Sequence, residues 1–85
     1  MSKEYILYST SACHLCELAE AMIKLVKKNN DINYILLDIA ENDYLFEAFG
    51  LIIPVLKCLE TKEQLNWPFN EDLIIEFINR QKKAG

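Results

Sequence analysis

Two cysteines three positions apart, in the stretch Cys13-His14-Leu15-Cys16, are the residues of this chain best suited to covalent chemistry. They follow a continuously apolar run, Tyr5-Ile6-Leu7-Tyr8, and open a stretch of helical period. At the start of a helix this spacing falls within one turn, so both thiols can face the same way. It permits a local disulfide or a shared metal ion. It also sets sulfur at the positive end of a helix dipole, where a thiolate is favoured. Two cysteines buried as small hydrophobes would not explain why both occupy one first turn. His14, the only histidine, lies between them. An imidazolium close to the Cys13 sulfur would lower its pKa and make a disulfide more oxidising, whereas a solvated His14 would tune it only slightly. A protease-like Cys-His pair is not expected, because neighbouring residues rarely align ring and sulfur and no third orienting group is evident.

The third cysteine, Cys58, stands four residues after Pro54 in an apolar run. That is about 13 Å along an extended strand. A disulfide requires Cα atoms within roughly 7 Å, so Cys58 reads as a buried core residue. Zinc within one chain needs four converging ligands. Three sulfurs and one histidine, with one sulfur out of reach, do not supply them. No metal site is expected.

Length and composition bound the rest. Eighty-five residues, 52% hydrophobic with two glycines and two prolines, suit a single small domain over 1–85 with one core. The net charge is −4, and lysine and arginine are scattered apart from Lys27-Lys28 and Lys82-Lys83. No basic patch is present to neutralise phosphates, which excludes nucleic acid as a partner. Met1-Ser2-Lys3-Glu4 leads into an apolar run of only four residues, too short for a signal peptide or a membrane span. The expected setting is the reducing cytoplasm, without membrane association. An odd count of three cysteines agrees with that, since it does not make a disulfide framework.

The elements that must position the cysteines follow in order. Tyr5 to Tyr8 predicts a strand buried on both faces. Ser9-Thr10-Ser11-Ala12 is a loop of small residues able to cap a helix. From Leu15, the residues Leu18, Ala19, Met22, Leu25 and Val26 form an apolar stripe, and Asn29-Asn30-Asp31 ends the helix. Asn33 to Asp38 predicts a second buried strand, parallel to the first through a right-handed crossover. Glu41-Asn42-Asp43 opens a short helix that stops at Gly50, with Phe46 half exposed. In the run Leu51 to Leu56, Pro54 must begin the next strand or lie at its edge, and Cys58 continues it. Glu60 to Glu63 turns the chain into a short fourth strand, Gln64 to Trp67. Asn70 caps a last helix, with Glu71 and Asp72 in its first turn and Phe69 and Ile74 as a hydrophobic staple. Its buried face is Leu73, Ile74, Phe77 and Ile78, and 80–85 is a polar tail expected to fray.

The resulting order, β-α-β-α-β-β-α, with the cysteine pair after the first strand and Ile-Pro before the third, resembles the thioredoxin fold in its minimal, glutaredoxin-like form. This is an α/β, three-layer architecture on a four-stranded mixed sheet. The chain is most similar to a group of small glutaredoxin-like proteins. Three segments carry the resemblance: Tyr8 to Cys16, Gly50 to Leu56 and Trp67 to Phe69. It implies a thiol–disulfide oxidoreductase in which Cys13 is the nucleophile and Cys16 the resolving thiol. It also implies a cis peptide bond before Pro54, and an Ile53 backbone that pairs with an extended substrate. Leu15 and Ile53 could rim the site, whereas Trp67 and Phe69 read as packing for the last helix.

Typical glutaredoxins differ at informative places. They carry Lys-Pro where this chain has Thr10-Ser11, Pro-Tyr at His14-Leu15, and Thr-Val at Ile52-Ile53. Their glycine pair before the last helix, which grips glutathione, has no counterpart in Asn66-Trp67-Pro68-Phe69-Asn70, although Asp72 could still meet an amine. No acidic residue stands in the first strand behind Cys16, where thioredoxins bury an aspartate. Glutathione is therefore a poor fit, and a protein disulfide is at least as good a substrate as a small-molecule one. The cycle requires no cofactor, only an external thiol reductant, and a monomer suffices for it. Two other roles fit the same residues: a non-catalytic module that holds a metal or docks a partner through the cysteine pair, and an electron relay dedicated to one protein. A cluster bridging two chains, as some glutaredoxins form, usually draws on glutathione.

Overall fold

The computed structural model describes residues 3–84, the side chain of residue 84 excepted. The elements are β1 (Glu4–Ser9), α1 (His14–Lys27), β2 (Asn33–Asp38), a 3-10 turn (Ile39–Glu41), α2 (Asp43–Phe49), β3 (Val55–Cys58), β4 (Gln64–Asn66) and α3 (Glu71–Ala84). The sheet order is β2-β1-β3-β4. β1 runs parallel to β2 and antiparallel to β3, and β3 is antiparallel to β4, so the sheet is mixed.

β1 lies inside the sheet because it is apolar on both faces. Side chains alternate across a strand. Tyr5 and Leu7 join the main core with Ala19, Ile23 and Val26 of α1 and Ile74, Phe77 and Ile78 of α3. Ile6 and Tyr8 point to the opposite side, where Ile39, Val55, Leu45 and Phe49 meet them. Tyr8 and Phe49 stack with ring centroids 4.3 Å apart. α1 and α3 thus cover one face and α2 the other. Each fully buried aliphatic side chain contributes roughly 1.5–3 kcal/mol, so the wider α1/α3 face carries more of the stability.

The helix starts form as the side chains dictate. Asn42 Oδ1 accepts from Leu45 N at 3.0 Å and Asn70 Oδ1 from Leu73 N at 2.9 Å, each satisfying an otherwise orphan donor. Phe69 and Ile74 are both buried in the main core, as a staple requires. Gly50, after α2, is right-handed with φ −55°, so conformational freedom is not what it supplies. A Cβ there would lie 2.5 Å from the Phe46 carbonyl oxygen, and this close approach favours glycine.

Four expectations need correction. The buried stripe of α1 is Cys16, Ala19, Ile23 and Val26, with Leu18 and Leu25 exposed. One residue turns a helix by about 100°, and the stripe that faces α3 and the sheet is displaced by that step. β2 is an edge strand rather than a buried one, and leaves Ile35 56% and Leu36 51% exposed. Leu73 is exposed, because the staple turns the first turn of α3 so that Ile74 points inward. Finally, α3 continues to Ala84 through the segment expected to fray, since Gln81 is fully buried and its Oε1 accepts a 2.5 Å hydrogen bond from Thr61 Oγ1. Gly85 lies outside the described residues.

Candidate redox site

The site forms at one end of the sheet. β1 finishes at Ser9, which pairs with Asp38 of β2, while Tyr8 pairs with Val55 of β3. Val55 in turn pairs with Asn66 of β4. The chain segments that leave this end are therefore the loop to Cys13, the turn after Asp38, Ile53-Pro54 and Trp67-Pro68. The Ile53–Pro54 and Trp67–Pro68 peptide bonds are both cis.

Cys13 is the N-cap of α1, with extended φ −104° and ψ 103°, and its Sγ accepts from Cys16 N at 3.2 Å. Its carbonyl accepts from Glu17 N at 3.1 Å, which begins the helical ladder. Cys16 sits in the first turn with its side chain in the core, 4% exposed, whereas Cys13 is half-buried. The two are joined by a disulfide across Cα atoms 5.2 Å apart. Each residue thus occupies a distinct environment: Cys13 meets solvent at the dipole's positive end, and Cys16 lies behind it.

Ala12, immediately before Cys13, has φ 59°. This left-handed conformation costs a non-glycine residue roughly 1–2 kcal/mol, and here it turns the chain from the strand end into the helix start. Alanine gives no sequence signal for that conformation. Glycine or asparagine would have done so.

The other candidate residues fall as follows. His14 is the first residue of α1 and is exposed, and Leu15 beside it is exposed too. Ile53 is half-buried against the cluster around Tyr8 and Val55, and Pro54 is buried just before β3. Ile53 N–H donates to Phe49 O at 3.1 Å, a bond that sequence reasoning did not reveal. Trp67 packs edge-on to Phe69 at 5.1 Å between centroids, and both join the main core rather than the site. Cys58 is buried and unbonded, opposite Tyr5 in the β1–β3 register. Burial, with Cys58 and Glu60 nearby, pushes the Tyr5 phenol up to about 12. Among the described residues no group of three or more His, Cys, Asp or Glu converges as a metal site would require. No described helix is long and apolar enough to cross a membrane.

An open cleft of about 250 Å³ adjoins the cysteine loop, lined by Ser9, Thr10, Ser11, Leu36 and Asp38. Asp38 Oδ1 accepts from Ala40 N at 2.9 Å and so caps the 3-10 turn.

The architecture recurs in solved structures. The crystal structure of protein XcR50 from X. campestris is 25% identical, with a TM-score of 0.74 over 89% of this chain and 96% of that one. The solution structure of Ne2328 from Nitrosomonas europaea is 22% identical, with a TM-score of 0.78 over 92% and 93%. Thioredoxin 1 from Thermosipho africanus, at 19% identity, gives 0.69 over 95% and 96%, which identifies the thioredoxin fold. No curated protein matches the chain significantly. Residues 4–79 match the family described as Glutaredoxin-like domain (DUF836), a span that includes β1, both site cysteines, Ile53-Pro54 and most of α3. With this fold, and with its cysteine pair at the start of α1, the chain belongs to the glutaredoxin-like domain family.

Proposed function

We propose that the protein is a thiol–disulfide oxidoreductase that works through a Cys13–Cys16 dithiol/disulfide couple. The observation that carries this reading is the asymmetry of the pair: a half-exposed Cys13 capping α1, bridged to a Cys16 that is 4% exposed. In the reductive direction, the Cys13 thiolate attacks one sulfur of a substrate disulfide. An S–S bond forms between them and the other substrate sulfur leaves as a thiolate. Cys16, deprotonated, then attacks Cys13 Sγ, closes the internal disulfide and releases the second substrate thiol. The substrate gains two electrons and two protons, and the dithiol loses them. An external thiol reductant restores the dithiol by the reverse exchange.

His14, exposed at the helix start, tunes the Cys13 thiolate only slightly, and Leu15 and Ile53 present apolar contacts around it. The Ile53 carbonyl, beside Pro54, accepts a backbone hydrogen bond from an extended substrate. Protein and low-molecular-weight disulfides both suit an open site of this kind. The glycine-free segment 66–70, with Trp67 packed on Phe69, supports a protein disulfide over glutathione. The setting is the reducing cytoplasm, and the unit is a monomer.

The test is the reduction potential of the couple, together with alkylation of the reduced protein across pH. A potential between about −270 and −200 mV, with one thiol alkylated well below the ordinary thiol range, is expected. A couple that never forms its disulfide in a glutathione or dithiothreitol redox buffer ends the redox reading. Stoichiometric zinc or iron on the purified protein would favour a binding module instead.

A further inference from the structure

The cleft beside the cysteine loop has a chemistry of its own. Its polar lining residues are Ser9, Thr10, Ser11 and Asp38, the last its one charged residue, and its apolar one is Leu36. No lysine or arginine lines it, and Asp38 forms no ion pair among the described residues. A carboxylate has about four acceptor sites, and Ala40 N–H takes one of those on Asp38. The exposed Leu36 suits the aliphatic stem of a long side chain whose charged head reaches Asp38. One carboxylate is too few to hold a divalent cation, which takes six or more oxygens or several retained waters. Ser11, in the cleft lining, precedes Cys13 by two residues, at most about 7 Å between Cα atoms, so the cleft lies within reach of a substrate held at Cys13.

We propose that this cleft is a subsite for a cationic side chain, arginine or lysine, flanking the half-cystine of a protein disulfide substrate, with Asp38 as the specificity-determining residue. The proposal rests on the redox reading and assigns its substrate class. Glutathione, with two carboxylates against one ammonium, is net negative and meets a like charge there. Because the Ile53 N–H already serves Phe49, recognition leans more on side chains than a full strand-like contact would require.

The experiment uses reduced protein and three symmetrical peptide disulfides, made from acetyl-Arg-Cys-Arg-amide and its Gln and Glu counterparts. Second-order rates of thiol release are divided by the rate of the same peptide with dithiothreitol, which removes differences in leaving-group acidity. The Arg peptide is expected to exceed the Gln peptide by about fivefold at low salt, the scale of one partly exposed charge pair. The preference should shrink as salt rises. In Asp38→Asn, which can still cap the 3-10 turn, the Arg to Gln ratio falls to near one. Ser11→Lys, at an exposed loop position, shifts the preference toward Glu. A normalised ratio near one in the unmodified protein, or a full preference in Asp38→Asn, overturns the proposal. If no peptide is reduced at all, the redox reading fails separately. The subsite is then judged by titrating the unmodified protein with thiol-free acetyl-Arg-Gly-Arg-amide. Amide shifts centred on Ser9 to Ser11 and Asp38, lost in Asp38→Asn, support it, and their absence overturns it.

Discussion

Replacing the two cysteines one at a time should separate their structural and chemical roles. Cys13 Sγ accepts the Cys16 N–H at 3.2 Å as the N-cap of α1. Sulfur is a weak acceptor, and a serine oxygen is a preferred cap. Under excess reductant, Cys13→Ser should therefore be at least as stable as the parent, whereas Cys13→Ala should lose about 1 kcal/mol relative to Ser. In a domain of this size that difference shifts the midpoint temperature by about 4–8 °C. Cys16 behaves differently because it is only 4% exposed. A serine hydroxyl there, without a partner, costs about 1–3 kcal/mol, so Cys16→Ala is the better companion variant. Urea unfolding with linear extrapolation reads all four proteins. The chemical half uses a disulfide probe and intact-mass analysis. Cys16→Ala should trap a one-to-one mixed disulfide at Cys13, and Cys13→Ser should capture the probe much more slowly through its buried Cys16. Equal stability of Cys13→Ala and Cys13→Ser would refute the cap. Equal capture by Cys16→Ala and Cys13→Ser would refute the division of roles that rests on exposure.

Two further outcomes follow from the core. Tyr5 is buried and its phenol is pushed from about 10 up to about 12, so the unfolded chain releases this proton at a lower pH than the native one. The associated stability is complete below pH 10 and is lost between pH 10 and about 12, on the order of 2–3 kcal/mol. Denaturant unfolding across that window should show a shallower decline in Tyr5→Phe, and an identical decline would remove Tyr5 as the cause. Gln81 has a buried Nε2 without a hydrogen-bond partner, set against the bond its Oε1 accepts from Thr61. Removing an unsatisfied donor offsets losing one neutral hydrogen bond, so Gln81→Met should lie within about 1 kcal/mol of the parent. A loss of several kcal/mol would show that the amide is satisfied.

The sequence was most readable where a local rule and the tertiary structure agree. Tyr5 to Tyr8 is apolar at every position, and only an interior strand buries both faces. Asn70 with Glu71 and Asp72 announces a helix start by side-chain chemistry alone, and Phe69 with Ile74 confirms it through packing. The cysteine pair was visible because its spacing coincides with such a start. What escaped is set by partners distant in sequence. Asn33 to Asp38 is as apolar at its centre as β1, and only the sheet order leaves Ile35 and Leu36 exposed. The 100° displacement of the α1 stripe depends on where α3 lies. A polar tail containing Gln81 looks solvated until Thr61 is brought against it. The Ala12 conformation and the Ile53–Phe49 bond are backbone matters that their residue types do not encode.

The position of β1 carries a consequence for how the chain is made. Both of its neighbours come later, β2 at 33–38 and β3 at 55–58, with Tyr5 paired to Tyr34 on one side and Cys58 on the other. A ribosome must therefore release about fifty further residues after β1 before this strand is flanked on both edges. At synthesis rates of about 5–20 residues per second, the backbone N–H and C=O groups along its second edge stay unpaired for seconds. A βαβ half-sheet can form earlier, but it leaves one edge of β1 open to other nascent chains. The most interior strand of the finished protein thus keeps one edge open through much of synthesis, and a chain stalled before β3 would offer that edge to chaperones.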